Sequence, residues 1–420
     1  MTSKKLLILS LAAILAVAAG LWLAGRQVSP GGSVHGALYP QLKRQLDAVS
    51  AVRLFEAGEG GDTLAVELKR QDDPAAAPQG ASDIRQSDAP GARWGVEQRA
   101  GYPVDGTKLR KLLLSIAEAK IAEEKTSDPE RYASLGVQDL DVADAEGVRI
   151  EIGPEPINLI VGKRGTSAQS NYVRRAGEPQ SWLIDTAIDV PTAPEDWLRK
   201  DLLDVSADRL QSAAVTLRGT RTYTASKAAR ADADFEVEGL PRGRKLSSSS
   251  AADSTATALV GLKLDDVQPA ATFEAGAADA HAEFRTFDGL IVNLDGWQRE
   301  DRHFIAARIS FDPEQAGRFT PVSASDADSP EARQADETQA ETPDDAQGPA
   351  RSDAASDTPE VGAGTASGTD RGTPAGDPTG NVEVARQAQA LQARLAGWVY
   401  EIPDYKYESI FRPVEDLLAN

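Results

Sequence analysis

Few stretches of this chain place reactive residue types at a spacing that chemistry requires. The run Val161-Gly162-Lys163-Arg164-Gly165-Thr166 invites a phosphate-loop reading. It lacks the G-x-x-x-x-G-K-[ST] spacing with which backbone amides cradle phosphates, and a strand-like segment follows it instead of a helix. A hairpin turn is the expectation there. The three histidines are His35, His281 and His303. His281 lies two residues from Glu283, but no H-E-x-x-H spacing puts two imidazoles on one helical face. His303 sits in a strand-like run beside Phe304 and reads as a surface or half-buried structural residue. Asp265, Asp266 and Asp295 are carboxylates without the D-x-[DN]-x-[DN]-G spacing of a calcium loop, and read as turn or helix-end acids. No G-x-S-x-G elbow occurs to expose a serine nucleophile. No catalytic, cofactor-binding or metal-ligating set can be written, so the expectation is a protein that is not an enzyme and needs no cofactor.

Two clusters fit binding better than catalysis. Trp398, Tyr400, Tyr405 and Tyr407 concentrate aromatic side chains near the C-terminus, as interface hot spots and sugar-stacking surfaces do. Alternating strand residues packed on a core would give the same pattern, with Pro403 ending the strand. Lys125, Lys163, Arg164, Arg174 and Arg175 would attract an anionic partner or form a solvated hairpin face.

The composition narrows the partners. The chain has 420 residues and a formal net charge of −20. That acid excess argues against nucleic acid, whose binding draws on a basic surface. With no cysteine, disulfides, thiolate metal sites and cysteine nucleophiles are excluded. Half of the charge sits in one place. Residues 321–380 hold thirteen Asp and Glu against three Arg, and among large aliphatic or aromatic residues only Val322 and Val361. Such a tract cannot bury enough apolar surface to offset its ordering entropy, and disorder is expected. A smaller insert of the same kind runs over residues 71–91.

The N-terminus carries a different signal. Lys4 and Lys5 precede nineteen uncharged residues, Leu6 to Ala24, and Arg26 follows. At 1.5 Å per residue the run extends about 28 Å, close to the roughly 30 Å hydrocarbon core. It reads as a signal anchor over residues 1–28. A cleaved signal peptide is the alternative, with Ala16-Val17-Ala18 as the small-x-small site. The anchor is favoured because the apolar run continues through Leu21, Trp22 and Leu23. The lysine pair keeps the N-terminus inside, leaving the bulk of the chain outside the membrane, in the periplasm for a Gram-negative source.

The intervening elements read as α+β. Ala51–Phe55, Leu64–Leu68 and Arg93–Glu97 are strand-like, and Gly101-Tyr-Pro-Val-Asp105 leads into a helix with Leu109, Leu112, Leu113 and Ile116 on one face, capped by Asp105. Val148–Ile152, Asn158–Val161, Asn171–Arg174 and Ser181–Ile184 read as a meander. A fainter second copy follows. Ala214–Leu217, Phe235–Val237, a helix ending near Leu259, strands near Phe284, Leu290 and Phe304, and Trp398–Tyr400 repeat the order, with Leu417-Leu418 set against Leu202-Leu203. The offset between copies is 163 at Val52/Val215, 147 at Leu112/Leu259 and 216 at Trp182/Trp398, changing where the inserts lie. Val382–Ala396 is helical and has no counterpart. The expected organisation is an anchor, one α+β repeat over 47–205, and a second over 206–420, each of antiparallel strands with a packed helix.

These motifs, in order, resemble one bacterial family. Gly101-Tyr-Pro-Val-Asp105 with Lys108-Leu109, Lys125-Thr126, Tyr132, Leu135-Gly136-Val137, Val161-Gly162-Lys163, Tyr172-Val173-Arg174, Trp182-Leu183 and Gly397–Lys406 are similar to the domain of unknown function 4340 family over Asp47 to Ala419. The resemblance implies an N-terminally membrane-anchored protein of the bacterial inner membrane. It also implies a non-enzymatic accessory role, since some members are described beside gliding-motility-type ABC transporters, and ABC permease subunits become the candidate partners. The family carries no established catalytic residues, so none transfers. An envelope glycan- or peptide-binding module is the alternative function, and an unrecognised hydrolase the most remote.

Overall fold

A computed structural model describes residues 35–71, 93–142, 144–154, 157–319 and 378–419. The expected anchor over 1–28 lies outside the described residues, as do 72–91 and 321–377 of the two acidic inserts. No helix among the described residues is long and apolar enough to cross a membrane. The chain forms two compact units. The first runs to Lys200 and includes Leu264–Thr272; the second comprises Asp201–Lys263 and everything from Phe273 on.

The first unit is built on strands β1 (His35–Ala37), β2 (Ala51–Gly58), β3 (Gly61–Gln71), β4 (Arg93–Val96) and β5 (Tyr102–Pro103). It continues with β6 (Lys120–Glu124), β7 (Val148–Gly153), β8 (Ile157–Arg164), β9 (Asn171–Arg175) and β10 (Ser181–Ile184). They hydrogen-bond in the order β1-β6-β10-β9-β8-β7-β2-β3-β4-β5, every pair antiparallel. Period-two alternation decides which face is buried. Val52 and Leu54 oppose Leu68 and Val66 across the β2–β3 pair, and Ile152 and Ile150 across β2–β7, and all six are buried.

Helix α1 (Gly106–Glu118) starts where Asp105 accepts hydrogen bonds from the amides of Thr107 and Lys108, at 2.9 and 3.2 Å. That carboxylate satisfies two of the donors a helix start leaves unpaired. Leu109, Leu112, Leu113 and Ile116 are buried, as their spacing requires.

The second unit carries β11 (Asp201–Leu203), β12 (Leu210–Leu217), β13 (Tyr223–Ser226), β14 (Glu236–Glu238) and β15 (Leu262–Lys263). The next strand, β16 (Asp266–Pro269), belongs to the first unit's returning segment. The meander β17 (Ala280–Thr286), β18 (Leu290–Arg299) and β19 (Arg302–Phe311) follows. After α2 (Pro313–Phe319) and α3 (Pro378–Leu395), β20 (Trp398–Ile402) joins β19, and α4 (Asp404–Ile410) succeeds it. Seven of these strands lie in the antiparallel order β14-β13-β12-β17-β18-β19-β20. In the first unit β4-β3-β2-β7-β8-β9-β10 run in the corresponding order. Among the described residues neither sheet closes into a barrel.

A second feature recurs. Val104 bridges Leu198, and the Asp105 amide donates to the Trp197 carbonyl at 2.7 Å. In the second unit Leu246 bridges Leu418, and the Ser247 amide donates to the Leu417 carbonyl at 2.8 Å. Each bridge follows a 3₁₀ turn holding Glu-Asp, Glu195-Asp196 in one and Glu415-Asp416 in the other. Leu418 therefore occupies the place of Leu198, not that of the Leu202-Leu203 pair expected from the sequence.

Other elements differ from expectation in detail. The helix expected to end near Leu259 is a single turn, Asp253–Ala256. Between Leu246 and Leu259 every residue but Asp253 is alanine, serine or threonine, with no leucine stripe to bury, so little favours a longer helix. The Val382–Ala396 helix begins four residues earlier, at Pro378, so the last three residues of the acidic tract are its first turn. It packs along β19, with Ala388 and Leu395 buried, and the Gln392 side chain accepts from the Ile309 amide at 2.6 Å.

Candidate functional site

The residues singled out for chemistry fall mostly into structural roles. Residues 157–164 form strand β8 throughout, so Gly162, Lys163 and Arg164 are strand residues and the turn lies beyond Gly165. Gly162 is there because of a close approach. A Cβ at this position would stand 2.3 Å from the Leu135 carbonyl oxygen and 2.8 Å from that of Gly136. Lys163 pairs with Glu146 at 2.7 Å. His281 pairs with Asp295 at 2.5 Å, and Arg308 donates to the other oxygen of that carboxylate at 2.7 Å, across three neighbouring strands. Asp266 is held by Arg99 through two hydrogen bonds, at 2.6 and 2.8 Å. His303 is buried, hydrogen-bonds Asp404 and lies against the Tyr407 ring at 4.4 Å. No group of three or more His, Asp or Glu among the described residues is placed to hold a metal ion.

The aromatic set near the C-terminus divides. Tyr400 is fully buried and donates to the Leu395 carbonyl at 3.3 Å. Tyr407 is buried too, its ring 4.7 Å from that of Phe411, and burial pushes its phenol up to about 12. Trp398 is half-buried at the start of β20. Tyr405 alone faces outward, 64% exposed on α4. The helical turn after Pro403 causes the split, because it turns Tyr405 and Tyr407 to different sides.

The basic cluster also divides. Arg174 is neither a solvated residue nor a free anion site; it is buried. Its Nε donates to the Val137 carbonyl at 2.8 Å, Nη1 to that of Glu178 at 3.1 Å, and Nη2 to the Asp139 carboxylate at 2.6 Å. The guanidinium carbon stands 4.6 Å from the centre of the Tyr132 ring. Tyr132, Val137 and Ile160 form a small core of their own under this brace, and Gly136 supplies the left-handed turn between them with φ +69°. The Tyr132, Gly136-Val137, Gly162 and Arg174 signature is thus one interlocked structural device.

Arg175, the next residue, lies at a cavity. About 480 Å³ opens between the segment Leu38–Gln45 and the ends of β8 and β9. Leu42 and Ile157 supply apolar wall; Tyr39, Asn158, Arg175 and Glu178 supply polar groups. The Tyr39 hydroxyl donates to the Asn158 carbonyl at 3.4 Å. Burial pushes the Tyr39 phenol up to about 12 although the Arg175 charge opposes the shift, so the hydroxyl keeps its proton at neutral pH. Arg175 donates to the Leu38 carbonyl at 2.8 Å and to the Glu178 carboxylate at 3.3 Å. Its guanidinium carbon is 5.4 Å from the Tyr39 ring centre and 4.9 Å from that of Trp182. Arg175 Nε and Asn158 Oδ1 are shielded from solvent behind this lining and have no hydrogen-bond partner. No sequence signal marked Tyr39 or Asn158, because their proximity depends on the Leu38–Gln45 segment folding over the sheet.

Sheet order and site together define an antiparallel α+β protein whose motif residues brace the fold. Residues 94–286 match the model of a family described as Domain of unknown function (DUF4340), which supports the resemblance read from the motifs. The match takes in the motifs from Gly101 to Trp182; the Gly397–Lys406 motif lies beyond it. No curated protein and no solved structure matches the chain.

Proposed function

We propose that this protein is a single-pass, membrane-anchored extracytoplasmic component of an ABC-type transport complex in the bacterial inner membrane, without catalytic activity of its own. The observation that carries this reading is the use made of the family's signature residues. Tyr132, Gly136, Gly162 and Arg174 are occupied in holding one loop against β8 and β9, which suits a scaffold that presents a surface more than a catalyst that presents a reactive group. The Leu6–Ala24 run behind Lys4 and Lys5 supplies the anchor.

The two units are read as copies of one ancestral unit. The shared order of seven strands and the repeated Glu-Asp turn with its bridge support that reading.

Crosslinking in the native membrane followed by gentle solubilisation tests the assignment. Co-purification with an ABC permease is the expected outcome. Recovery of the protein as a lone species overturns it. The alternative, an envelope binding module, is favoured by one observation, the cavity between Leu38–Gln45 and the sheet.

A further inference from the structure

We infer that the segment Leu264–Thr272 is a strap that locks the folding of the two units together, so that they unfold as one. The chain passes between the units three times, after Lys200, Lys263 and Thr272. The first unit is therefore completed by a segment whose two ends both continue into the second. Arg99, closing the 3₁₀ turn Glu97–Arg99, seats this segment by donating to both oxygens of Asp266, at 2.6 and 2.8 Å, and its Nη2 also reaches Glu195 at 3.3 Å. Each side chain of the Arg99–Asp266 pair is 24% exposed, so water screens the two-point bond only in part. The Leu264 amide donates to the Lys200 carbonyl at 2.9 Å, and Lys200 Nζ donates back to the Asp265 carbonyl. Leu264 and Val267 are buried.

Both ends of the strap are fixed in the second unit. On one side Leu262 of β15 is fully buried and pairs with Leu203 of β11. On the other, the Phe273 ring stands 5.4 Å from that of Trp297 and 5.2 Å from that of Phe304, in a small core that includes Val399. While these anchors hold, the strap has little freedom left to lose on seating. When the second unit unfolds, residues 201–263 and the chain after Thr272 become flexible, and seating the strap then means closing a long loop and ordering it. The first unit loses the Asp266 partner of Arg99 and the burial of Leu264 and Val267 at that moment. Loss of the second unit is therefore felt in the first, although each has a sheet and a core of its own.

Urea unfolding of the full chain in detergent micelles, followed by hydrogen exchange, tests the inference. Protection is read at the amides of β2 and β7 for the first unit and of β17 and β18 for the second. One shared midpoint is expected. Phe284 is fully buried in β17 and Ile150 in β7; Phe284→Leu and Ile150→Val, one in each unit, are each expected to lower both midpoints together by a few tenths of a molar. Arg99→Met is expected instead to split the transition, with the first unit melting earlier, and on that background Phe284→Leu moves the second midpoint alone. Should Arg99→Met fail to fold, Asp266→Asn, which keeps the shape of the acid and removes its charge, is expected to open a smaller gap. Separate midpoints in the unmodified chain overturn the inference. So do midpoints that stay together when Arg99 or Asp266 is replaced, and so does a split produced equally by Ile150→Val.

Discussion

Replacing Arg174 separates a structural brace from a binding residue. In Arg174→Met the aliphatic stem is kept and the guanidinium lost. The bond to the Val137 carbonyl is buried, and removing a charged donor from a buried acceptor costs about 1.5–3 kcal/mol. The Glu178 carbonyl belongs to an exposed residue, where water replaces the donor, so that bond adds only about 1 kcal/mol. The Asp139 side chain is 56% exposed, which limits this ion pair to about 1 kcal/mol or less. Loss of the contact with the Tyr132 ring adds about 1 kcal/mol. The expected total is about 4 kcal/mol, against about 2 kcal/mol for Arg174→Lys, whose ammonium reaches fewer acceptors, and under about 1 kcal/mol for Asp139→Asn. Equilibrium urea unfolding, read as midpoint shifts at unchanged slope, measures these values. Hydrogen exchange at the Val137 amide, which donates to the Tyr132 carbonyl at 3.1 Å, localises the effect. A midpoint for Arg174→Met within about 1 kcal/mol of the unmodified protein would refute the reasoning, as would Asp139→Asn costing as much.

Four further substitutions or conditions follow from the same geometry. Gly162→Ala drives a methyl into two backbone carbonyls and is expected to cost about 2–3 kcal/mol in urea unfolding, against about 1 kcal/mol at Gly177, where φ is +83° but space is open. Asp105→Ala removes the acceptor for two amides of α1 and is expected to cost about 1 kcal/mol; a loss below about 0.3 kcal/mol would show the cap to be idle. Tyr39 and Tyr407 have folded-state values raised to about 12 from 10.0, so the folded protein holds their protons more tightly than the unfolded chain. Their contribution to stability is complete below pH 10 and lost as pH rises from 10 to 12; ultraviolet titration should show late-ionising phenols, buried Tyr223 among them, and Tyr39→Phe and Tyr407→Phe should each remove one. Tyr405, exposed on α4, is expected to tolerate alanine within about 0.5 kcal/mol while reducing capture of a crosslinked partner, and unchanged capture would remove it from any interface.

Much of the frame was legible because it obeys short-range rules. The leucine stripe of α1 and its Asp105 cap follow from helical periodicity and from the donors every helix start leaves open, and both are present. Strand β10 covers Ser181–Ile184, the last short strand of the expected meander. The readings that failed were those a residue's own neighbourhood does not decide. Arg174 and Arg175 are adjacent and alike in sequence, yet one is buried under Tyr132 and the other lines a cavity. The difference comes from successive strand residues facing opposite sides and from what each side meets, Val137 and Asp139 for one and Leu38 for the other. Tyr400 and Tyr405 likewise read as one cluster until the turn at Pro403 parts them.

If the units descend from one ancestor, what they share and what they do not bear on where specificity resides. The shared part is backbone: seven strands in one order, and the bridge after the Glu-Asp turn. Side chains at that bridge have drifted, with Trp197 opposite Asp105 in one unit and Leu417 opposite Ser247 in the other. A hydrogen-bond ladder is indifferent to side-chain identity, so it survives such drift. The additions differ altogether. Ahead of β2 the first unit has β1 and the Leu38–Gln45 segment that roofs the cavity, while β12 is preceded by the short strand β11. Between β19 and β20 the second unit inserts α2 and α3, where β9 and β10 are joined by a short turn. What distinguishes the two units would then rest on elements that duplication did not supply. Variants in the Leu38–Gln45 segment should therefore leave the common sheet intact, and hydrogen exchange at the amides of β2 and β7 reads that directly.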